Sequence, residues 1–373
     1  MTNLEPGTRK VKPRDITVLV AMSGGVDSSV AAAVLQEQGY RVVGVTMLLW
    51  PEDVPGAEEG CCGTVHLNDA RSVCSKLGIA HYTLDLQAEF LSDVVRPFVD
   101  TYLAGRTPNP CIRCNEHLKF RHLIRKARGV GADLLATGHY ARIVGKNPWR
   151  LARGADDRKD QSYFLFTLRQ KELARLLFPL GNMKKDLVRR KAEAFGLPVH
   201  AKAESQEICF VPDGGLRDFI REKGANLPGP GKVVDTGGNE LGTHEGACFY
   251  TVGQRKGLGI AAPEPLYVMR IDGATNTVVV GKRAESAFPG LKASGSTWIE
   301  GHPPGERFTA SVQIRHRHTP APSTVTVNGD GSVDVIFDEP QHGVAPGQAV
   351  VVYDGEYVLG GGWITEPMAP SKQ

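Results

Sequence analysis

The 373-residue sequence predicts an α/β domain on a doubly wound, mostly parallel sheet, then a small connecting domain, then a C-terminal all-β barrel. Three observations carry this expectation. Over roughly the first 200 residues, short β-branched runs alternate with helix-length segments, the pattern of a parallel sheet with helices on both faces. Gly and Pro then crowd into 226–231, 237–238 and 253–259. From about residue 290, short alternating strands are separated by tight turns such as 328–331. The expected boundaries are 1–210, 211–285 and 286–373.

The first strand is the apolar run 16–22, followed by the turn Ser23-Gly24-Gly25 and a helix over 28–38 that Gly39 closes. Residues 41–48 read as the next strand, 67–77 as a helix ending at Gly78, and 80–86 as a third strand. A long amphipathic helix is expected over 87–103, kinked or split by Pro97, which has no N–H to give the helix ladder. A helix over 115–128 feeds the strand 133–137, and 162–168 and 184–195 read as helices. In the last part, strands fall at 308–314, 323–327, 333–337, 349–353 and 357–359.

Residues 1–15 lack the apolar core of a signal peptide, and the apolar stretch 42–50 is far shorter than the ~20 residues of a membrane span. A cytoplasmic protein with no membrane partner is expected. Net charge is only +3, but basic residues cluster at 113–128, 184–191 and 314–318, which suggests a polyanion surface. Seven irregularly spaced cysteines in so large a chain argue against a secreted disulfide scaffold and for working thiols.

The string Ser23-Gly-Gly-Val-Asp-Ser28 joins a buried strand to a helix N-terminus, where unpaired N–H groups and the helix dipole favour an anion. The glycines permit close approach of backbone to phosphate, and Ser23 and Ser28 add hydroxyls. Asp27 either orients the loop or helps hold magnesium. No GxxxxGK[ST] motif occurs. The string instead resembles the SGGxDS PP-loop of the ATP pyrophosphatase superfamily, which implies cleavage of ATP between its α- and β-phosphates and adenylation of an acceptor oxygen.

Further motifs narrow the choice: Gly105-Arg-Thr-Pro-Asn-Pro-Cys-Ile-Arg-Cys-Asn115, Ala136-Thr-Gly-His-Tyr140, Lys159-Asp-Gln-Ser-Tyr-Phe164, 205–210 with Cys209, Thr251-Val-Gly-Gln-Arg-Lys-Gly-Leu-Gly259 and Ala345-Pro-Gly-Gln348. Together, from about residue 16 to 366, they resemble the bacterial tRNA-specific 2-thiouridylase family. The resemblance implies an ATP-dependent transferase with Mg2+ that thiolates the wobble uridine of tRNAs for Lys, Glu and Gln. Cys209 would carry a persulfide delivered by a sulfur-relay protein, and Cys114 would act as the second thiol. Ala21, Met22, Ser23, Gly24, Gly25, Val26, Asp27, Ser28, Met47 and Gly138 would contact ATP. Asn109, Pro110 and Cys111 would surround the flipped uridine. His139, Lys159, Asp160, Gln161, Arg315, His316 and Gln348 would touch tRNA.

Two alternatives stand beside this reading. Cys111, Cys114 and Cys209 are three thiols, enough to hold an iron–sulfur cluster. Some family members carry aspartate at position 111, a role cysteine does not simply replace. A PP-loop ligase forming an amide on a small molecule is the other alternative; it needs no cysteine. Read without the resemblance, Cys209 between Ile208 and Phe210 is equally a buried structural thiol.

Overall fold

Val18, Leu19 and Val20 of strand β1 (Thr17–Ala21) are buried on both faces, so the strand has no polar side and reads as an unbroken apolar run. The structure, a computed structural model, describes residues 12–50, 64–203, 208–211 and 215–369. Strands are numbered along the chain. β2 (Arg41–Leu48), β3 (His81–Asp85), β4 (Leu134–Ala136) and β7 (Leu176–Leu177) join β1 in parallel, in the order β3-β2-β1-β4-β7. Helix α1 (Val26–Glu37) and helix α2 (Thr64–Leu77) belong to one face, where Val18 and Val20 meet Val30, Val34 and Val73. Leu19 points the other way, into a larger core with Phe90, Phe98, Leu118 and Phe120. Among the described residues, no helix is long and apolar enough to cross a membrane.

Helices depart from the expected bounds where proline and capping chemistry act. The expected helix 87–103 is built from Gln87–Phe90, a widened π turn at Leu91–Val95, and Arg96–Leu103. Pro97 stands in the first turn of the last piece, where its missing N–H costs least. The helix expected over 115–128 starts earlier, at Pro110–Arg113, because Asn109 caps it: Ile112 N donates to Asn109 Oδ1 at 3.4 Å. It continues as a π segment, Cys114–His122, before Leu123–Gly129. The 162–168 helix shortens to a 3-10 turn, Ser162–Leu165.

The central part holds the helix Leu216–Lys223 and a four-stranded sheet. Its strands are β8 (Gly231–Val234), β9 (Glu240–His244), β10 (Tyr267–Asp272) and β11 (Thr277–Gly281), in the order β10-β11-β8-β9. Six antiparallel strands then close a barrel: β12 (Ala287–Trp298), β13 (Arg307–Gln313), β14 (Ala321–Val327), β15 (Val333–His342), β16 (Ala349–Asp354) and β17 (Tyr357–Met368). The order is β12-β15-β14-β13-β16-β17, and β17 pairs back to β12. β12 is hidden in the sequence because Pro289, Gly290, Ser294, Gly295 and Ser296 interrupt its alternation.

A hairpin of β5 (Ala141–Gly145) and β6 (Trp149–Arg153) leaves the parallel-sheet domain and extends the barrel, with Leu151 opposite Val358 and Ala152 opposite Tyr357. Glycine permits the contact beside it: a Cβ on Gly361 would stand 2.5 Å from the Val350 carbonyl oxygen and 2.8 Å from the Phe166 ring. Arg153 ends the hairpin. Its Nη1 donates to Asp160 at 2.8 Å, its Nη2 to Gln313 Oε1 at 3.2 Å, and its guanidinium lies 3.8 Å from the Tyr353 ring centroid. Asp160 is buried, and also accepts from Gly154 N and from Ser162 N and Oγ. Asp160→Ala removes the carboxylate partner of Arg153 and the acceptor of Gly154 N, Ser162 N and Ser162 Oγ, and should cost about 3–5 kcal/mol in urea unfolding. Replacing Arg153 with an apolar residue as well should restore only part of that loss, because the three other donors remain without their acceptor.

Candidate active site

In an open parallel sheet, ligands sit at the carboxyl ends of strands where the strand order reverses. Here that point lies between β1 and β4. The loop after β1 turns through Gly24, whose φ of +67° and lack of Cβ are both required, since a Cβ would lie 2.2 Å from the His66 carbonyl oxygen. Gly138, after β4, rests on the start of α1: a Cβ there would approach Asp27 C and Ser28 N to 2.8 Å. Ser28 Oγ receives the Ser23 N–H at 3.2 Å and lies 3.2 Å from Ser23 Oγ, which draws the loop around the helix N-terminus. The first-turn N–H groups of α1 have no acceptor within the helix, so the loop presents donors to an anion.

Two lysines set the charge of this loop. Lys185 is buried, and its Nζ donates to Asp27 Oδ1 at 2.7 Å and Oδ2 at 2.8 Å. The Tyr140 hydroxyl donates to the same Oδ1 at 2.7 Å. Both oxygens of Asp27 are therefore engaged, and of its two expected roles the geometry favours orienting the loop. Lys202 Nζ donates to the Gly24 carbonyl at 3.2 Å, approaches His66 Nδ1 at 3.1 Å, and pairs with Asp69. Nothing in the sequence marks Lys202, and Lys185 reads there as one member of a surface basic run. That run is largely engaged within the protein, with Lys191 on Glu37 and Arg189 on the Lys202 carbonyl.

A cavity of about 300 Å³ opens from this loop. Ala21, Met22, Ser23, Asp27, Ser28, Met47 and Gly138 line it, as do Pro110, Cys111, Cys114, Asn115, Lys119, His139, Gln161, Phe164 and Cys209. Cys114 and Cys209, 95 positions apart in sequence, thus face one space. Cys114 is held by the capped helix, on the first residue of its π segment. Cys209 is held by its neighbour Phe210, whose ring packs edge-on against Phe90 and Phe98 and tilted against Phe219, at centroid distances of 5.4, 5.1 and 5.5 Å. Asn115 donates to the Phe164 carbonyl at 3.2 Å, and its Oδ1 is buried without a partner among the described residues.

Cys74 and Cys248 are buried away from this cavity, and burial pushes the Cys74 thiol up to about 11. Cys61, Cys62 and residues 205–207 lie outside the described residues. Among the described residues, no three His, Cys, Asp or Glu side chains gather as a metal site requires, so the three thiols do not form a cluster cradle in this arrangement.

Residues expected at tRNA divide by burial. His139 is buried between Phe120 and Phe178, with Nδ1 2.7 Å from Thr137 Oγ1. It forms cavity wall. Asp160 shapes the Arg153 junction, while Gln161 lines the cavity and accepts from Tyr140 N at 2.9 Å. Lys159 is half-buried. Gln348 donates from the barrel to the Thr107 and Pro108 carbonyls at 3.3 and 2.9 Å, which fixes the loop before Asn109. Arg315 and His316 are exposed at the end of β13, and the His316 ring lies 4.5 Å from that of Phe164.

Family models match almost the whole chain: tRNA methyl transferase HUP domain over 16–213, tRNA methyl transferase PRC-barrel domain over 217–282, and aminomethyltransferase beta-barrel domain over 289–364. The chain is 50% identical over 368 residues to the tRNA-specific 2-thiouridylase MnmA of Geobacter metallireducens, covering 97% of this chain and 99% of that one. The chain belongs to the tRNA-specific 2-thiouridylase family. Its MnmA relative from Chloroflexus aggregans is 48% identical over 353 residues, with 94% and 98% coverage. A solved 4-thiouridine synthetase–RNA complex with bound ATP overlaps 52% of this chain and 44% of its own at 18% identity, with a TM-score of 0.36, too distant to carry an argument. The first two model descriptions name methyl transfer; a cavity that joins a phosphate loop to thiols suits thiolation better.

Gly24→Ala should weaken ATP binding about tenfold or more in calorimetric titration, because the added Cβ displaces the loop from α2. A second expectation concerns acid. Burial, with the Lys119 ammonium nearby, holds His139 well below the ordinary 6.5, so the folded ring stays neutral. The unfolded chain then binds more protons at low pH, and His139's contribution is complete above its unfolded pKa and lost as pH falls. Below that pKa, stability should drop by up to about 1.4 kcal/mol per pH unit. Denaturation of wild type and His139→Leu at about pH 5.5 and about pH 7.5 should show a shallower decline in the variant.

Proposed function

We propose that this chain uses ATP to replace the C2 oxygen of the wobble uridine of tRNAs for Lys, Glu and Gln with sulfur. One observation carries the reading: Ser23, Asp27 and Ser28 of the phosphate loop, Cys111 and Cys114 of the capped helix, and Cys209 line a single cavity. The names of its near-full-length relatives agree with it.

The phosphate loop holds the triphosphate on backbone N–H groups, with Lys202 beside it and Asp27 fixed by Lys185. A magnesium ion bound with ATP would supply charge neutralisation of the phosphates; Asp27 is the carboxylate of the loop that would hold it, and its oxygens are already engaged by Lys185 and Tyr140. The C2 oxygen attacks the α-phosphorus, pyrophosphate leaves, and a poor leaving group becomes AMP. A sulfur-relay protein supplies persulfide sulfur to Cys209. The terminal sulfur attacks C2, the C2–O bond breaks, and AMP departs with the oxygen. The Cys114 thiolate then attacks the Cys209 sulfur and breaks the S–S bond, leaving thiocarbonyl on the base and a disulfide between the two cysteines. An external thiol reduces that disulfide for the next turnover. In the variant order, Cys114 first liberates sulfide from the persulfide, and sulfide attacks C2. Asn109, Pro110 and Cys111 surround the extruded base in both orders, since the reacting atom is out of reach inside a stack.

Cys114→Ser and Cys209→Ser should each reduce 2-thiouridine, read by nucleoside mass spectrometry, to background. Both should retain tRNA-dependent pyrophosphate release, because activation precedes sulfur transfer. An amide-forming ligase predicts undiminished turnover in both variants. Thiolation that persists in either one counts against the persulfide mechanism.

A further inference from the structure

A second cavity, about 310 Å³, lies where the central sheet meets the barrel. Val252 and Tyr267 come from the central part, Phe288 and His342 from β12 and β15, and Arg283 and Arg315 from the rim. Tyr267 and Phe288 are half-buried, whereas both arginines are exposed. Arg315 Nη1 donates to the His342 carbonyl at 2.8 Å, which aims its guanidinium across the opening. Among the described residues no carboxylate pairs with Arg283 or Arg315, and no acid lines the cavity. The nearby Glu264 and Glu285 are engaged with Lys282 and Thr236.

The glycine-rich segment 251–259 reaches this cavity through Val252 and Gly253 and carries exposed Arg255 and Lys256 beside it. Gly253, Gly257 and Gly259 all have positive φ, and a Cβ on Gly253 or Gly259 would meet nothing within 4 Å. Positive φ accounts for the glycines, and the backbone there is open to solvent.

An aromatic slot rimmed by guanidinium groups without carboxylate partners suits a planar ring that carries a phosphate. Its position suggests the source. The His316 ring lies tilted against Phe164 at the wall of the first cavity, and Arg315, the residue before it, opens on the second cavity. One RNA strand that leaves the reaction cavity past Phe164 and His316 therefore meets Arg315 next.

We propose that the seam between the central sheet and the barrel holds a second unstacked nucleotide of the same tRNA, its base against Tyr267 and Phe288 and its phosphate on Arg283 and Arg315. This rests on the tRNA reading above and goes beyond it by naming a second base-binding site.

The experiment begins with wild type: if it neither binds nor thiolates tRNA, the reading of function falls and the seam is not at issue. With active wild type, Arg283→Ala and Tyr267→Leu should each raise KM for tRNA on the order of tenfold, with kcat and KM for ATP unchanged. Arg283→Ala should also flatten the salt dependence of tRNA affinity by about one phosphate contact. tRNAs with single abasic sites should then reveal one position, other than the target uridine, where base loss weakens wild type but adds nothing in Tyr267→Leu. Wild-type KM in Arg283→Ala, or the absence of any such coupled position, overturns the proposal.

Discussion

The guanidinium of Arg153 joins the two halves of this protein. It pairs with buried Asp160 beside the reaction cavity, reaches Gln313 on β13, and lies against Tyr353 on β16. Gln313 in turn donates to the Arg315 and His316 carbonyls at 3.2 and 2.7 Å, so the junction fixes the turn that brings His316 onto Phe164. A buried charge is costly unless its partner and remaining lone pairs are satisfied, and Asp160 meets that condition with three further donors. The consequence is geometric. The wall of the reaction cavity and the exposed end of β13 are set in one frame.

The sequence was most legible where one backbone conformation and one chemistry coincide. The loop at 23–28 needs small residues for a positive φ and a close approach, and it needs hydroxyls for anion contact, so its residue types state its role. The parallel strands were legible for a similar reason: burial on both faces leaves an unmistakable apolar run. The hairpin at 141–153 was not, because it completes a sheet whose other strands begin well over a hundred residues later. β12 was obscured by glycine, serine and proline, whose places are set by bulges and close strand contacts that only the closed barrel defines.

Within the site, the cysteines were legible by motif, while the residues that hold the phosphate loop were not. Lys185 sits in a run of surface cations, and only the fold turns it inward to Asp27. Lys202 has no motif of its own; its meaning comes from Gly24, His66 and Asp69, which reach it from distant parts of the chain. His139 shows the converse. The family resemblance implies contact with tRNA there, but two aromatic rings and a threonine hydroxyl occupy its surroundings, and burial keeps it neutral.

The placement of the two cavity thiols, Cys114 and Cys209, follows from this division. Cys114 is referenced to the barrel: Gln348 grips the carbonyls of Thr107 and Pro108, Thr107 N donates to the Pro346 carbonyl at 2.8 Å, and Asn109 then starts the helix that carries the cysteine. Cys209 is referenced to the central part, because Phe210 packs on Phe219 of the helix Leu216–Lys223 as well as on Phe90 and Phe98. The phosphate loop belongs to neither, being fixed by Lys185 and by the approach of Gly138. Both thiols thus pack on one core of the parallel-sheet domain, and each has one further tie, Cys114 to the barrel and Cys209 to the central helix. The loop and both thiols face one space, and the thiols have ties to the barrel and the central helix that the loop does not share.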